Sequence, residues 1–507
     1  MTPEIIANFM VSLADLSKNS KILEPCSGKG IFLDALKKQG YKKITAFEID
    51  PSIVNPTDNV KIASFVSEPI KEKYDLVIGN PPYIRWKNLE EELKEELTIN
   101  ELWNKHCNSL CDYSCVFIIK SIELLEEGGQ LIFITPEYWL NTTHSINMRN
   151  YMIENGYFEK IYHFNETPIF EDATVSTIIF KYVKTKNKKS KGIEIVKYFL
   201  NRKLNENILE NLKTKNNQEN FEHFVIPQFE KNKRWLLASA DTINELNIFE
   251  EHCKKGKSSN EFYTIKDICD IGNGLVSGLD KAFQVDDLVL NKEEEKQTIK
   301  VIKGKNLSPF FQEKETKYVF TKDINDENEL KTKLPNFYKH LQVYKEDLEK
   351  RYQYNRHINY WEWVFLRNLK LFSKPTEKIF VPCKERISNK NYFRFALVGS
   401  GVFPTQDVTA LVKKEDIKES IYYILALLNS KMVFDWLKYN GIVKGNIVEF
   451  SEKPIASIPF RKVDFSKKSE VDIHNKISNL TQEYIKTKKK KDEEKIWVEV
   501  NKLFINQ

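Results

Sequence analysis

The amino-acid sequence predicts an α/β protein with two domains: an open, mostly parallel sheet wrapped by helices, followed by a mixed α/β domain. From Lys21 to about Val183, short apolar runs alternate with helical patterns, which is typical of a parallel sheet. After Lys184 the chain becomes rich in lysine, asparagine and glutamate, which indicates surface loops or a basic rim. Regular alternation resumes at about Tyr263. We therefore predict domains over residues 1–240 and 241–507.

The elements of the first domain are predicted from periodicity and turn signals. Strands are expected at Ile22–Pro25, Ile44–Ile49, Val60–Phe65, Tyr74–Gly79, Gln130–Thr135, Lys160–Phe164 and Val175–Tyr182. Helices are expected at Ile31–Gln39, Cys111–Leu125 and His144–Asn155. The last two strands leave no room for a helix between them, so we expect the final strand to turn back antiparallel.

Composition limits the class of protein. With 507 residues, 41% of them apolar, the chain can bury a substantial core. Lysine and arginine outnumber aspartate and glutamate by only 78 to 72, so any attraction to nucleic acid must come from a local basic surface.

The amphipathic N-terminus and the lack of any apolar run of about 18 residues support neither a signal peptide nor a membrane span. The scattered cysteines fit a reducing compartment, and we expect a soluble cytoplasmic monomer.

Three cysteines, Cys107, Cys111 and Cys115, recur beside His106 and suggest a zinc site. Three residues separate each cysteine from the next, which fits one stripe of a helix better than a metal knuckle. We therefore predict no metal site.

The first candidate site is the loop after the first predicted strand, where an open α/β sheet binds its ligand. This loop contains Glu24, Gly28 and Gly30, and its glycines let the backbone approach a ligand closely. Glu48 stands 48 − 28 = 20 residues after Gly28, the spacing of a carboxylate that binds ribose hydroxyls. Glu24 would repel a pyrophosphate but suits the positive charges of S-adenosylmethionine, so a methyl donor is favoured over NAD. An ordinary strand–turn–helix is the alternative.

The second candidate site is the tetrapeptide Asn80-Pro81-Pro82-Tyr83, which follows the predicted strand Tyr74–Gly79. The two prolines stiffen the backbone, so that the Asn80 side-chain oxygen and the Pro81 carbonyl can accept both amino hydrogens of adenine N6. Direct transfer to this nitrogen needs alignment and no covalent nucleophile. Tyr83 offers an aromatic face for a base flipped out of duplex DNA. A plain turn at the end of a strand is the alternative.

With these motifs in this order, the chain resembles the gamma class of N6-adenine DNA methyltransferases, represented by the TaqI methylase, over about Thr2 to Tyr182. The resemblance implies a class I, Rossmann-like sheet with an antiparallel last strand, a C-terminal target-recognition domain, S-adenosyl-L-methionine as cofactor and double-stranded DNA as substrate. It implies a site-specific enzyme of a type II restriction-modification system that protects the site from a cognate endonuclease. That endonuclease shares the site and need not bind the enzyme.

The resemblance also implies roles for individual residues. Thr2 matches a threonine that contacts the donor; Glu24, Cys26, Gly28 and Gly30 fall in the glycine loop; Glu48 and Ile49 match the ribose and adenine contacts; Phe117 matches an aromatic beside the donor adenine; and Phe170 matches the ring that sandwiches the flipped base against Tyr83. Where the family usually has aspartate before phenylalanine, this chain has Ser64 and Phe65, so the contact to the donor's amino group is weaker. Core packing is the alternative for Phe117 and Phe170.

The C-terminal half resembles the family's recognition domains through three segments: Ile271–Gly278, Lys303–Leu307 and Leu425–Phe460. Cations alternate with aromatic residues near residue 355, which suits phosphate and base contacts. The residues expected to bind DNA are Arg351, Arg356, Lys384, Arg386 and Arg394. Aromatic core residues beneath a solvated charged face are the alternative.

The same motifs also fit other functions. The chain begins at the threonine motif, so we expect no nuclease domain before it. Its length and layout resemble the PstI and BsuBI type of modification methylase, which implies CTGCAG as the target. A methyltransferase acting on ribosomal RNA or on a protein glutamine can use the same tetrapeptide, and a DNA-specificity subunit with an inactive catalytic fold is a third candidate.

Overall fold

Nine strands of the N-terminal half form one sheet in the computed structural model, in the order β3-β2-β1-β4-β5-β7-β6-β8-β9. Their bounds are β1 Lys21–Glu24, β2 Lys43–Glu48, β3 Val60–Ile62, β4 Tyr74–Gly79, β5 Leu125–Pro136, β6 Gly156–His163, β7 Thr177–Lys184, β8 Ile193–Tyr198 and β9 Phe221–Ile226. The first five strands in sequence pair in parallel, whereas β7 runs antiparallel to both β5 and β6. The carboxyl ends of β1, β2 and β4 therefore share one edge of the sheet.

The structure describes residues 1–55, 58–170, 176–187, 192–200, 202–216, 220–256, 259, 261–352, 354–387, 390–444 and 447–504. It divides into two compact units, Met1–Ile243 and Asn244–Gln507. None of the helices in these ranges combines the length and apolar character that a membrane crossing requires.

Helices cover both faces of the sheet. Those of the first unit are α1 Glu4–Val11, α2 Ile31–Lys38, α3 Glu91–Ile99, α4 Glu101–His106, α5 Ser114–Leu124, α6 Ile146–Asn155 and α7 Glu206–Thr214, and α8 Ala240–His252 contains the boundary between the units. Strand β4 shows why the sheet is central: Val77 packs into the core on one face, while Leu76 and Ile78 pack into the core on the other. A strand buried on both faces reads as a continuous apolar run, as this one does.

The sheet extends further than the sequence predicted. The prediction of surface loops from Lys184 to about Tyr263 was wrong, because β8, α7, β9 and α8 lie in this range. Strand β8 lies between lysine-rich stretches, so its buried Ile193, Ile195 and Val196 did not stand out as a periodic pattern. Val175, where the last strand was predicted to begin, lies outside the described residues.

The predicted helix Cys111–Leu125 begins later, so the single stripe of cysteines was also wrong. Cys107 follows α4, Cys111 lies in a turn, and only Cys115 lies in α5. The Asn108 side chain accepts from the backbone of Leu110, and this turn separates the two helices. The three thiols still lie within hydrogen-bonding reach of one another. Across the described residues, no cluster of His, Cys, Asp and Glu has the arrangement of a metal site.

The second unit is mixed α/β, with sheets in the orders β10-β18-β14-β16-β12, β13-β11-β17 and β15-β20-β19. Its strands are β10 Cys269–Asn273, β11 Thr298–Ile302, β12 Phe310–Phe311, β13 Thr316–Val319, β14 Lys378–Pro382, β15 Lys384–Arg386, β16 Ala396–Val398, β17 Val402–Pro404, β18 Val408–Lys413, β19 Ile442–Lys444 and β20 Ile447–Glu449. Its helices are α9 Ile265–Ile268, α10 Asp280–Phe283, α11 Lys292–Lys296, α12 Glu327–Lys333, α13 Pro335–Gln342, α14 Lys345–Glu349, α15 Leu369–Phe372, α16 Ile421–Leu428, α17 Lys431–Asn440, α18 Glu452–Ala456, α19 Lys468–Thr487 and α20 Lys490–Lys502.

Glycines of this unit allow close backbone contacts. A Cβ on Gly274 would lie 2.1 Å from the carbonyl oxygen of Thr405, and one on Gly278, whose φ is +87°, would lie 2.5 Å from Val364 Cγ2. The segment Ile271–Gly278 is therefore glycine-rich for packing reasons.

Candidate active site

The candidate residues of the first unit meet at the carboxyl edge of the sheet. Glu24 ends β1, Glu48 ends β2 and Asn80 follows β4, and these strands are neighbours. Cys26 Sγ donates to the carbonyl oxygen of Asn80 at 3.1 Å, and the amide of Gly28 donates to Glu48 Oε2 at 2.7 Å. The glycine loop thus contacts both the second strand and the tetrapeptide.

Glu24 is a buried acid without a partner. Its exposed fraction is 0%, and neither carboxyl oxygen has a hydrogen-bond partner among the described residues. Burial, followed by the negative charge of Glu48, raises the pKa of Glu24 well above its usual value. An unpaired carboxyl in such a place is costly, and a cationic ligand would relieve that cost.

Glu48 is held firmly by the backbone. Besides Gly28, the amides of Ile49 and Asp50 donate to its Oε1 at 2.8 and 3.1 Å. These three bonds leave about one of the roughly four lone-pair sites of the carboxylate for a hydroxyl group. The left-handed φ values of Gly28 and Gly30, +54° and +86°, favour glycine, and the space beside Gly28 is open. Ile49, next to Glu48, is 53% exposed.

The amide of Asn80 has a defined orientation. Its Nδ2 donates to Thr2 Oγ1 at 2.9 Å, so its Oδ1 points the other way. The Tyr83 hydroxyl contacts this Oδ1 and lies 2.5 Å from the carbonyl oxygen of Ile134. Burial raises the pKa of Tyr83 well above its usual value, so this hydroxyl remains a neutral donor.

The rings of Tyr83 and Phe170 are neighbours in an edge-to-face arrangement. Their centroids are 6.5 Å apart, and their planes meet at 66°. This separation is close to the thickness that a stacked base requires, but the planes are not parallel. Phe170 is half-buried and packs against the core on one face of the sheet.

The surroundings of Ser64 include an acid that the sequence analysis missed. Ser64 Oγ donates to Glu96 Oε1 at 2.6 Å, and Tyr113 also hydrogen-bonds to Ser64. Glu96 lies on α3, a glutamate-rich helix that reads as a solvated surface, so no signal marked it. Phe65 and Phe117 are buried in the core with ring centroids 5.2 Å apart.

The basic residues predicted to bind DNA fall into two groups. Arg351 donates to the carbonyl oxygens of Ser277, Asn359 and Glu362, and burial lowers its pKa to about 10. Arg394 donates to the Glu385 carboxylate and to two carbonyl oxygens, those of Gly304 and Leu307.

The second group lies closer to solvent. Lys384 and Arg386 are exposed on β15. The guanidinium of Arg356 lies 4.8 Å from the Phe365 ring centre, and the Tyr354 ring packs on the same phenylalanine with its centroid 4.7 Å away.

Comparisons with known proteins agree with this fold and these motifs. The model of the Eco57I restriction-modification methylase family matches residues 10–170, which include the glycine loop and the tetrapeptide. The structure of the type IIL restriction-modification enzyme MmeI, solved in complex with DNA, superposes with a TM-score of 0.61. That match covers 99% of this chain and 72% of MmeI at 11% identity, so it shows a common fold.

Relatives of nearly full length define the class more closely. The type II methyltransferases M.HindII and M.HincII, both from Haemophilus influenzae, are 47% and 45% identical to this chain, and each match covers 96% of this chain and 93% of the relative. The chain therefore belongs to the type II methyltransferases of restriction-modification systems. This confirms the predicted restriction-modification methyltransferase, while the gamma class and the likeness to PstI and BsuBI stay predictions.

Proposed function

We propose that this protein transfers the methyl group of S-adenosylmethionine to N6 of an adenine in double-stranded DNA, as the modification enzyme of a type II restriction-modification system. One observation carries the proposal: the oriented amide of Asn80 lies on the same sheet edge as the buried, unpaired Glu24. An acceptor for an amine and a carboxylate for a cation are the two groups that this reaction needs.

The residues of the sheet edge fit the cofactor. Glu24 is suited to the positive charge of the donor, Glu48 has a lone-pair site left for a ribose hydroxyl, and the open space beside Gly28 admits a ligand. We assign the cofactor-binding role to Thr2, Glu24, Cys26, Gly28, Gly30, Glu48, Ile49, Ser64, Phe65 and Phe117. S-adenosylmethionine supplies the electrophilic methyl group when it is bound.

Asn80 and Pro81 act on the amine. Adenine N6 is a poor nucleophile because its lone pair is delocalised into the ring, and the Asn80 Oδ1 and the Pro81 carbonyl accept its two hydrogens as the nitrogen becomes pyramidal. The amide oxygen of Asn80 has two lone pairs and can accept from the amine as well as from the Tyr83 hydroxyl. The Ile134 carbonyl gives that hydroxyl an alternative acceptor, since one hydroxyl hydrogen serves one acceptor at a time.

Tyr83 and Phe170 hold the base. A base within the duplex cannot reach the sheet edge, so the adenine must be flipped out and stacked between two faces. The 6.5 Å separation of the two rings suits such a guest once the planes turn toward parallel. Pro81 and Pro82 fix the backbone on which this pair is mounted.

The second unit supplies the DNA surface. We propose that Lys384 and Arg386 contact phosphates, and that Arg356 with its aromatic neighbours contacts DNA near the base edges. The contacts of Arg351 and Arg394 favour a role in holding the loops that carry this surface. The CTGCAG target stays a prediction, and M.HindII and M.HincII give no support to the likeness on which it rests.

The test is to incubate the protein with labelled S-adenosylmethionine and, separately, duplex DNA, ribosomal RNA or protein. Label in DNA, located as N6-methyladenine by sequencing, and its loss in Asn80→Ala are expected. Label confined to RNA or to a glutamine side chain would overturn the proposal in favour of those substrates. Cofactor and DNA binding without transfer would identify a specificity subunit.

A further inference from the structure

Three side chains outside the proposed machinery form a hydrogen-bonded group, in which His163 and Ser176 are buried and the Glu137 side chain is 24% exposed. Glu137 follows β5, His163 ends β6 and Ser176 precedes β7. His163 Nε2 is bonded to Glu137 Oε2, and the Ser176 hydroxyl lies 3.5 Å from the same Nε2, close enough to lower the pKa of the Glu137 carboxyl. The backbone amide of Glu137 also donates to the Ser176 carbonyl oxygen at 3.1 Å. Glu137 therefore binds the ends of two strands that neighbour each other in the sheet.

This group lies at the base of the segment that carries Phe170. His163 and Ser176 flank the connection between β6 and β7, and Phe170 lies within that connection. Asn165 Nδ2 donates to the Tyr198 carbonyl at 2.5 Å, and Thr167 Oγ1 donates to that of Leu200 at 3.0 Å, so the first half of the connection is anchored on the other side as well. The described part of the connection, which carries Phe170, is thus anchored at Asn165 and Thr167 as well as at His163.

The same strand that precedes Glu137 also holds Tyr83. Ile134, whose carbonyl lies 2.5 Å from the Tyr83 hydroxyl, is in β5, three residues before Glu137. Through β5, Glu137 connects the two rings of the proposed base pocket. The interior of a protein is close-packed and transmits strain. The contact of Glu137 at the end of β5 therefore helps to set the distance between Tyr83, which is bonded to β5, and Phe170, which lies in the connection between β6 and β7.

The chemistry of the pair favours a fixed geometry. Because a carboxylate only accepts, His163 Nε2, the atom that faces Glu137, must carry a hydrogen, and Nδ1 is buried without a partner among the described residues. Burial raises the pKa of Glu137, but the charge and hydrogen bond of His163, with the Ser176 hydroxyl, outweigh it and bring the pKa to about 2. Glu137 is therefore an ionised acceptor over the whole working range of pH.

We propose that Glu137 and His163 are positioning residues that set the gap between Tyr83 and Phe170 for the flipped base. The inference rests on the proposed function, because it assigns these two residues to the same base pocket. Neither side chain touches the reacting atoms, and both act through Phe170. Loss of either contact lets the connection that carries Phe170 shift, so that the flipped base is held less often in the reactive position.

The test combines steady-state kinetics with a spectroscopic readout of base flipping. Glu137→Gln keeps the shape of the side chain and removes its charge, and His163→Gln keeps a donor of different reach. Duplex DNA with 2-aminopurine at the target adenine reports the unstacked base by its fluorescence. We expect both variants to lower kcat and the fluorescence rise by about fivefold, while the KM for DNA and the cofactor Kd change less than about twofold, because binding precedes stacking.

A matched control separates positioning from general loss of stability. Glu194 in β8 is another ionised acid of the same sheet, paired with Lys160 at 2.5 Å and with His223 at 2.8 Å. Glu194→Gln should lower Tm to a similar extent and leave the 2-aminopurine signal unchanged. Ser176→Ala, a smaller change at the other end of the connection, should shift the signal in the same direction as Glu137→Gln.

Two outcomes overturn the inference. The first is that Glu137→Gln and His163→Gln keep kcat and fluorescence within about twofold of the unaltered protein. The second is that they lose both only in proportion to Glu194→Gln. A failure of the proposed function would be seen differently, since the unaltered protein itself would then leave adenine N6 unmethylated.

Discussion

Asn80 Nδ2 donates to Thr2 Oγ1 at 2.9 Å, across 78 positions of sequence. This bond orients the amide, because the nitrogen faces the threonine and the oxygen must then face Tyr83. An amide free to rotate would present a donor to the substrate amine half of the time and an acceptor the other half. Thr2 therefore contributes to the proposed chemistry by orienting the side-chain amide of Asn80.

Thr2→Val tests this orientation, because valine keeps the shape of threonine and removes the hydroxyl. We expect kcat to fall by about tenfold, the cost of one hydrogen bond of about 1.4 kcal/mol, and Asn80→Ala to lose activity by at least about a thousandfold. Methyl incorporation into DNA measures both. An unchanged rate in Thr2→Val, or substantial activity in Asn80→Ala, would remove these residues from the mechanism.

Tyr83 offers a ring and a hydroxyl whose roles separate by substitution. Tyr83→Phe removes the contacts to Asn80 Oδ1 and to the Ile134 carbonyl but keeps the aromatic face. Because stacking contributes about 1–3 kcal/mol per base, we expect Tyr83→Phe to keep activity within about fivefold and Tyr83→Ala to lose about a hundredfold. Comparing kcat/KM of both variants decides the point. Equal losses would show that the hydroxyl and not the ring matters.

Because the pKa of Glu24 is raised, we expect cofactor binding to depend on pH. Burial raises its pKa, so the ligand-free site is protonated between the ordinary pKa and the raised one, and a cation must displace that proton. The affinity for S-adenosylmethionine should therefore rise with pH up to the raised pKa. Glu24→Gln should remove this dependence and weaken binding by at least about tenfold. Calorimetry in buffers of different ionisation enthalpy measures the proton released.

The stability of the ligand-free protein should depend on pH with the opposite sign. An acid whose pKa is raised by folding stabilises the folded state at low pH, and this stabilisation is lost as pH rises through the ordinary and then the raised value. Glu24→Gln should therefore raise Tm at neutral pH in the absence of cofactor. The exposed Glu126 provides the control, and Glu126→Gln should change neither Tm nor affinity. A lower Tm in Glu24→Gln would contradict the cost assigned to its burial.

The sequence predicted the positions of strands in the first sheet well where the strands are buried on both faces. Strand β4 is found at the predicted bounds because its apolar run and the prolines after it are local signals. Strands β8 and β9 have six residues each, as β4 does, but they escaped prediction because they lie among lysine-rich segments. Their burial depends on pairing, of β8 with β6 and of β9 with β8. Periodicity reports local pattern, so elements stabilised by distant partners are found less reliably.

The candidate site shows the same division. Glu24, Glu48 and Asn80 were found because each ends or follows an apolar strand, and parallel strands bring their ends together. The partners of the site residues were not predicted. The bonds from Asn80 to Thr2 and from Ser64 to Glu96 join residues that are far apart in sequence, and no sequence pattern relates them. Ser64 was expected to make only a weak contact with the cofactor's adenine. The carboxylate of Glu96 lies beside Ser64, and no pattern in the sequence indicated this.

Glu96 gives a prediction for the cofactor's adenine. Its carboxylate lies 2.6 Å from Ser64 Oγ and is a stronger acceptor for an exocyclic amine than a hydroxyl is. Glu96→Gln should weaken S-adenosylmethionine binding by about three- to tenfold, as expected for a hydrogen bond to a charged group. Its exposed neighbour Glu95 is the matched control, and Glu95→Gln should bind normally. Equal affinities of the two variants would show that Glu96 serves only to hold Ser64.

Arg386 and Arg394 are both basic residues of the second unit, and the structure predicts different consequences of removing them. Arg394 is half-buried and holds the buried Glu385 together with the carbonyls of Gly304 and Leu307, so Arg394→Ala should lower the free energy of unfolding by about 2 kcal/mol. Arg386 lies exposed on β15, where a side-chain contact contributes little to stability, so Arg386→Ala should lower Tm less than Arg394→Ala does. It should reduce the slope of log K for DNA against log salt concentration by about 1, because one phosphate contact releases about one counterion. Titrations at several salt concentrations measure that slope.

An unchanged slope for Arg386→Ala would remove β15 from the DNA surface, whereas a reduced slope with normal Tm for Arg394→Ala would show that its guanidinium reaches DNA despite its contacts within the unit.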